Sequence, residues 1–233
     1  MKRREFLEKS VAGSAGLIAG ASGILIPSCK SPNERIVLAL VGAGSRGQQT
    51  IISCCRGNEN VSIKTVCDVN DLNSARAASA VEKELGYKPA VTRYMKEVFD
   101  DRDVNAVWIS TPDHWHALAS VWACQAGKDV YVEKCPSHSI WEGRKMVEAA
   151  RKYKRIIQVG YQNRSGAYNF AARDYIAGGK LGQVVHIRIY NLLNGKKWMP
   201  QPDAEVPSTL DWDAWLGPAP YKAFNPDRLN GWL

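Results

Sequence analysis

A glycine-rich turn between two apolar segments is the feature of this sequence that most directly predicts chemistry. Gly42, Gly44 and Gly47 fit the pattern G-x-G-x-x-G and follow a β-branched apolar run at 36–41. Asp68 ends the next apolar run, 21 residues after Gly47. In dinucleotide-binding folds the glycines allow a tight turn, approach of a pyrophosphate and close helix packing, and the acid binds the ribose. The spacing therefore predicts a dinucleotide site, with a glycine-rich turn in another α/β protein as the alternative.

The same stretch favours one dinucleotide over another. The helix predicted after the turn offers free N–H groups and the positive end of its dipole to the phosphates. A carboxylate at Asp68 accepts hydrogen bonds from ribose hydroxyls but repels a 2′-phosphate. We therefore predict NAD as the cofactor in preference to NADP.

A second pair of residues, Glu133 and Lys134, directly follows an apolar run at 129–132. A partly desolvated lysine next to a carboxylate can hydrogen-bond a substrate hydroxyl and relay its proton. At the end of a strand beside a cofactor, the pair therefore predicts a proton-handling site. The alternative is a surface ion pair, which contributes little to stability or function.

Apolar runs and helical patterns alternate along the chain, which indicates an α/β fold. We predict a Rossmann-type doubly wound parallel sheet, which forms an NAD-binding domain over 34–160. Residues 161–233 are predicted to start a second α/β domain with an open sheet, which is incomplete. In that part a helix is predicted over 168–179 and a strand over 184–190.

Two histidines, His114 and His116, lie just after the apolar run at 104–109. Open α/β sheets bind ligands at the carboxyl ends of their strands, so both are candidate pocket residues. A histidine that faces water or packs locally at a helix start is the equally weighted alternative. The four histidines and six cysteines show no metal-ligand spacing, so no metal is predicted.

The first 29 residues are predicted to direct export rather than to fold. Arg3 and Arg4 precede an apolar pair, which resembles a twin-arginine signal. The apolar stretch at 11–26 is too short and too weakly hydrophobic for a membrane span. Cys29 ends a sequence that resembles a lipoprotein cleavage box, so lipid attachment and ordinary peptidase cleavage are the two alternatives. In either case we expect an exported, periplasmic protein.

The charge distribution argues against a nucleic-acid partner. The chain of 233 residues has a net charge of +8, but its Lys and Arg residues are spread along it rather than clustered. Such a pattern favours a solvated basic surface, so no nucleic-acid partner is predicted.

The order of these motifs resembles that of the Gfo/Idh/MocA oxidoreductases over nearly all of 35–233. Besides the features above, the resemblance includes a Gly-Tyr-Gln-Asn-Arg run at 160–164 and a tryptophan-rich tail at 210–220. It implies hydride transfer to or from a small carbohydrate, a sugar or polyol, with Lys134 assisting. It also implies homo-oligomers for the full-length protein.

The motifs and the resemblance together give the candidate site residues. Lys134 and Glu133 are the candidate catalytic residues. The candidate cofactor-binding residues are Gly42, Gly44, Ser45, Arg46, Gly47, Asp68, Thr111, Pro112, His116 and Glu133. The candidate substrate-binding residues are His114, Tyr161, Gln162 and Arg164.

Two departures from the family pattern bear on activity. The family places proline directly after the lysine, whereas Cys135 intervenes here and the proline is Pro136. The family also has an Asp and a His four residues apart beyond the tryptophan-rich segment, and the sequence reaches Leu233 before such a pair. We therefore expect a truncated C-terminal domain. A non-catalytic, dinucleotide-binding remnant is the alternative to an oxidoreductase.

Export has a consequence for the predicted reaction cycle. Free NAD is scarce outside the cytoplasm, so the cofactor is expected to stay bound and to be recycled in the same site. The hydride is then returned either to a second sugar or to the same sugar after hydrolysis. The latter cycle describes a redox-neutral glycosidase, which is a further alternative.

Overall fold

The computed structural model describes residues 35–190 and 201–231. These residues contain six strands, which are β1 Ile36–Val41, β2 Val61–Cys67, β3 Ala90–Thr92, β4 Ala106–Ile109, β5 Asp129–Glu133 and β6 Ile157–Gly160. They also contain eight α-helices, which are α1 Ser45–Cys55, α2 Asp71–Leu85, α3 Met95–Asp100, α4 Asp113–Gln125, α5 Ile140–Tyr153, α6 Ala167–Ala177, α7 Trp212–Leu216 and α8 Pro226–Gly231. A short 3-10 helix, Gln162–Ser165, follows β6.

The six strands form one sheet in the order β3-β2-β1-β4-β5-β6, and every pairing is parallel. The chain winds outward from β1 in one direction and from β4 in the other, which leaves a crevice where the loops after these two strands diverge. The predicted doubly wound parallel sheet is confirmed. The sequence analysis missed β3, whose three residues are too few to show a pattern.

Apolar side chains cover both faces of the sheet. Along β1, Leu38 and Leu40 pack into one core cluster, whereas Ala39 and Val41 pack into the other. Helices lie over each cluster, because α1 and α2 contribute to the first and α4 and α5 to the second. A strand buried on both sides has no polar face, so β1 appears in the sequence as a continuous apolar run.

The starts of α2 and α4 are capped in different ways. Asn70 caps α2, and its side chain accepts a hydrogen bond from the Leu72 N–H. The next residue, Asp71, forms an ion pair with Arg93. The N-cap of α4 is Pro112, in extended backbone and without a side-chain cap, so Asp113 is the first helical residue.

The chain after β6 departs from the prediction. The predicted helix is present as α6, but residues 183–190 have no regular secondary structure. The strand predicted over 184–190 is therefore wrong for this structure. Its apolar side chains Val185, Ile187 and Ile189 are exposed, because no described strand pairs with this segment and an isolated strand is not stable.

Some predictions concern parts that the structure does not describe. The predicted export signal and Cys29 lie outside the described residues. In the described ranges, no helix is both long and apolar enough to cross a membrane. In the same ranges, no group of three or more His, Cys, Asp or Glu side chains is arranged to hold a metal ion.

Candidate active site

The glycine turn brings the ends of β1 and β4 into contact. Gly42 has a φ of +86°, and a Cβ there would lie 2.5 Å from the backbone nitrogen of Thr111. A Cβ at Gly47 would lie 2.2 Å from the carbonyl oxygen of Gly42, so α1 packs directly against the turn. Both distances are far below normal van der Waals contact, so the observed backbone leaves room only for glycine at these two positions.

Gly44 differs from the other two glycines because the space beside it is open. No atom of the chain that the structure describes lies within 4 Å of where its Cβ would be. Gly44 is the N-cap of α1, which has no side-chain cap and no acidic residue in its first turn. Ser45 and Arg46 form that first turn and are exposed. Open space in front of uncapped helical N–H groups suits the pyrophosphate of a dinucleotide.

Asp68 lies directly after β2, beside the glycine turn. Its Oδ2 accepts a hydrogen bond from the Ala43 N–H at 2.7 Å, and its Oδ1 accepts one from the Asn70 N–H at 2.8 Å. Burial raises the pKa of the Asp68 carboxyl above its ordinary value, although these N–H groups favour the ionised form. The turn thus holds the acid at the position from which it binds the ribose in dinucleotide-binding folds.

Three buried polar atoms without a hydrogen-bond partner lie on the other side of the crevice. They are Ser110 Oγ and Thr111 Oγ1, in the loop between β4 and α4, and Asp113 Oδ1, in the first residue of α4. A buried polar group left unpaired costs about 1–3 kcal/mol, so a ligand that supplies partners is favoured there. The open space at Gly44 and the loop after β4 lie at the carboxyl ends of β1 and β4, where open α/β sheets bind their ligands.

His116 joins the loop after β4 to the loop after β5. Its Nε2 lies 2.7 Å from the carbonyl oxygen of Thr111, and its Nδ1 lies 2.6 Å from that of Cys135. His116 belongs to α4, and its imidazole is fully buried. Because the backbone engages both ring nitrogens, His116 positions these two loops and presents neither nitrogen to a ligand.

Glu133 is paired with the glycine turn rather than with Lys134. The carboxylate is buried, and its Oε1 lies 3.2 Å from Arg46 Nε. The hydroxyl of Tyr131 donates a hydrogen bond to the same oxygen, also at 3.2 Å. Burial and the neighbouring Glu133 raise the pKa of Tyr131 to about 12, so the phenol stays neutral as a donor. Arg46, a candidate cofactor-binding residue, is therefore in direct contact with Glu133, a candidate catalytic residue.

Lys134 is exposed immediately after β5. The peptide bond between Lys134 and Cys135 is cis. Within residues 35–190 and 201–231, the Lys134 ammonium group forms no ion pair or hydrogen bond, so it is available to a ligand. Its position at the carboxyl end of β5, an interior strand, places it on the same edge of the sheet as the glycine turn.

Three of the four candidate substrate residues line one open recess next to this edge. Tyr161, Gln162 and Arg164 follow β6 and border a recess of about 610 Å³, together with Tyr131. The carboxamide of Gln162, oriented with its oxygen towards Arg46, accepts a hydrogen bond from that guanidinium. The recess thus adjoins the charged pair at the carboxyl end of β5.

His114 lies apart from this recess, against the tryptophan-rich tail. Its Nε2 lies 2.9 Å from the carbonyl oxygen of Trp215. The indole of the neighbouring Trp115 is buried at the same contact. The sequence analysis assigned 210–220 to the second domain and missed this contact with the first. The signal that could have found it is the clustering of large aromatic residues in the tail, since such residues require burial.

Two family models match the chain. Residues 36–161 match the Gfo/Idh/MocA model for an oxidoreductase family with an NAD-binding Rossmann fold. Residues 183–232 match the model for the C-terminal alpha/beta domain of the same oxidoreductases.

Curated relatives and solved structures are similar over much of the chain. A 1,5-anhydro-D-fructose reductase from Ensifer adhaerens is 31% identical over 154 residues, which cover 65% of this chain and 44% of that protein. An alpha-N-acetylgalactosaminidase from Shewanella oneidensis is 24% identical over 204 residues, which cover 79% of this chain and 44% of that protein. Among solved structures, the WlbA dehydrogenase of Chromobacterium violaceum, in complex with NADH and UDP-GlcNAcA, superimposes with a TM-score of 0.55 and 25% identity. The superposition covers 64% of this chain and 41% of that one. The chain thus spans less than half the length of these relatives.

Proposed function

The chain belongs to the Gfo/Idh/MocA oxidoreductase family, and we propose that the complete protein transfers a hydride between NAD and a hydroxyl-bearing carbon of a sugar or polyol. The observation that carries the proposal is the contact between the glycine turn and the candidate catalytic pair. Arg46 of the turn lies 3.2 Å from Glu133, the residue before Lys134. The carbohydrate-related names of the reductase and the WlbA dehydrogenase support a sugar-like substrate.

The residues of this chain have distinct tasks in the proposed reaction. NAD, when bound, supplies the hydride acceptor. Asp68 binds the ribose hydroxyls, and the first turn of α1 binds the pyrophosphate. The Lys134 amine takes the proton from the oxidised hydroxyl and returns it in the reverse direction. Arg46 neutralises Glu133, so that a buried carboxylate can sit beside the reacting centre.

The test uses the full-length protein with a panel of sugars and polyols. Lys134→Met is expected to lower kcat by about 10²–10⁴, the usual contribution of a positioned acid or base, and to leave NADH affinity within about twofold. Lys88→Met, which removes an exposed lysine on a loop, is the matched control. Turnover by Lys134→Met at the rate of Lys88→Met would rule out the assigned role.

A redox-neutral glycosidase is the second candidate function. The similarity to the alpha-N-acetylgalactosaminidase, which extends over 79% of this chain, favours it. A glycosidase of this kind releases a free sugar and an aglycone without net formation of NADH. Product analysis decides between the two, because net hydrolysis supports the glycosidase and an oxidised or reduced sugar supports the oxidoreductase.

We also propose that the protein is exported, with its cofactor retained and recycled. The support is the pair Arg3 and Arg4 in front of an apolar stretch. Cell fractionation tests the proposal with wild type and with the variant that carries Arg3→Lys and Arg4→Lys. The expected result is wild type outside the cytoplasm and the variant inside it, and normal export of the variant would contradict the proposal. Cys29→Ser releases the protein from the membrane fraction if a lipid is attached there.

A further inference from the structure

Residues 209–217, which we call the docking tail, bind the loop that follows β2. The Asp71 N–H donates to the Thr209 carbonyl at 2.9 Å, and the Asp211 N–H donates to the Val69 carbonyl at 3.0 Å. Asn70 and Leu210 form an antiparallel bridge between these two bonds. The loop held in this way begins at the residue after Asp68, so the docking tail fixes the backbone that carries the ribose-binding acid.

The docking tail also binds the start of α4. The Trp115 indole N–H lies 3.1 Å from the Ala214 carbonyl oxygen and 3.0 Å from the Trp215 carbonyl oxygen. His114 contacts the same Trp215 carbonyl. These residues follow the loop between β4 and α4 that carries the unpaired Ser110 Oγ and Thr111 Oγ1. One segment therefore bridges the two loops on opposite sides of the crevice.

The bridge is tightly packed. Leu210, Trp212 and Leu216 are buried in a separate apolar cluster with Phe224, against which Val69 packs from the loop after β2. Gly217 has a φ of +48°, and its Cβ would lie 1.9 Å from the Trp115 ring. No side chain fits at Gly217 while the ring stays in place.

We propose that the docking tail is a positioning element for the cofactor: it holds the Asp68 loop and the loop after β4 at a fixed spacing and thereby slows release of NAD. A crevice whose walls are held in place loses less entropy on binding, and opening it to release the ligand requires breaking the contacts of the docking tail. The inference rests on the proposed dinucleotide site. It adds to that site a segment that is distant in sequence, since Trp215 lies 100 residues after Trp115.

The experiment measures NADH dissociation from the full 233-residue chain by stopped-flow displacement, with NADH fluorescence as the signal. Gly217→Ala drives a methyl group into Trp115 and is expected to speed NADH release about tenfold, a common size for coupling between sites. Gly127→Ala is the matched control, since Gly127 follows the far end of α4, has a φ of +77° and has no atom of the described residues within 4 Å of its Cβ position. Its release rate is expected to stay within about twofold of wild type.

A milder pair of variants keeps the test valid if Gly217→Ala does not fold. Trp115→Phe removes the N–H that holds the docking tail and is expected to speed NADH release. Trp141→Phe, at an exposed tryptophan of α5, is the control and is expected to leave the release rate unchanged. Wild-type release rates in folded Gly217→Ala or in Trp115→Phe would overturn the inference while leaving the cofactor site intact. Absence of NADH binding by the wild-type chain would instead overturn the site and the inference together.

Discussion

Alanine at Gly47 and alanine at Gly44 add the same methyl group to the glycine turn, yet the structure predicts opposite consequences. At Gly47 the new Cβ would lie 2.2 Å from the Gly42 carbonyl oxygen, 3.0 Å from Ser110 Cβ and 3.2 Å from Leu40 Cδ1. Restoring normal contact requires α1 to move by about 1 Å. Such overpacking costs about 1–3 kcal/mol, which the higher helix propensity of alanine offsets by up to about 1 kcal/mol. The expected net loss of about 1–2 kcal/mol lowers Tm by about 2–8 °C.

At Gly44 the methyl group meets open space. The backbone there, with φ −60° and ψ 175°, is accessible to alanine. No described atom lies within 4 Å of the Cβ position, so the methyl group causes no clash. The lower entropy of the unfolded chain favours alanine, whereas the N-cap position favours glycine, so the free energy of unfolding should stay within about 0.5 kcal/mol of wild type. The methyl group nevertheless occupies the space through which a pyrophosphate approaches the turn. We expect the Kd for NADH to rise at least about tenfold, which corresponds to about 1.4 kcal/mol.

Two measurements on both variants test this reasoning. Urea unfolding followed by circular dichroism gives the free energy of unfolding, and fluorescence titration gives the Kd for NADH. The predicted pattern is a stability loss confined to Gly47→Ala and a large affinity loss without a stability loss in Gly44→Ala. Equal destabilisation by the two alanines, or wild-type NADH affinity in Gly44→Ala, would refute the assignment of separate tasks to the two glycines.

Two charged pairs give further predictions. Arg46→Met leaves the buried Glu133 carboxylate without its cation, and because the guanidinium is half-exposed the expected cost is about 1 kcal/mol in urea unfolding. Addition of Glu133→Gln should recover part of that cost, and strictly additive effects would contradict the pairing. The hydrogen bond from Lys64 lowers the pKa of Asp101 below its unfolded value of 3.8, so the stabilisation is complete above pH 3.8 and is lost as the pH falls through the folded pKa. Asp101→Asn should therefore destabilise the protein at about pH 7 and not at about pH 2, and equal losses at both would contradict this.

The predictable parts of the fold are those encoded by short stretches of sequence. Strand β1 is apolar on both faces, which separates a buried parallel strand from an amphipathic one. The spacing from Gly47 to Asp68 has a direct geometric meaning, because it spans one helix and one strand. The strand predicted over 184–190 shows the limit of such reasoning. Its residues favour a strand, but pairing with a neighbour decides whether one forms, and no neighbour is present in the described ranges.

The site was predictable only where it lies within one motif. Arg46 and Glu133 are 87 residues apart, and Trp115 and Trp215 are 100 apart. Such contacts depend on which loops the folded sheet brings together, and spacing along the chain does not encode them. The partner expected for Glu133 was its neighbour Lys134, because adjacency was the only relation visible in the sequence. The sheet instead places the Arg46 guanidinium next to that carboxylate.

The central claim is a dinucleotide site at the glycine turn in which Asp68 selects NAD. Titration of the 233-residue chain with NADH and with NADPH tests it most directly. The account predicts that NADH binds at least about tenfold more tightly than NADPH, because the Asp68 carboxylate repels a 2′-phosphate. It also predicts that Asp68→Asn lowers the ratio of the Kd for NADPH to the Kd for NADH. Asp103→Asn, at an exposed acid after α3, should leave the ratio unchanged. Equal affinities for the two dinucleotides, or no binding of either, would contradict the account.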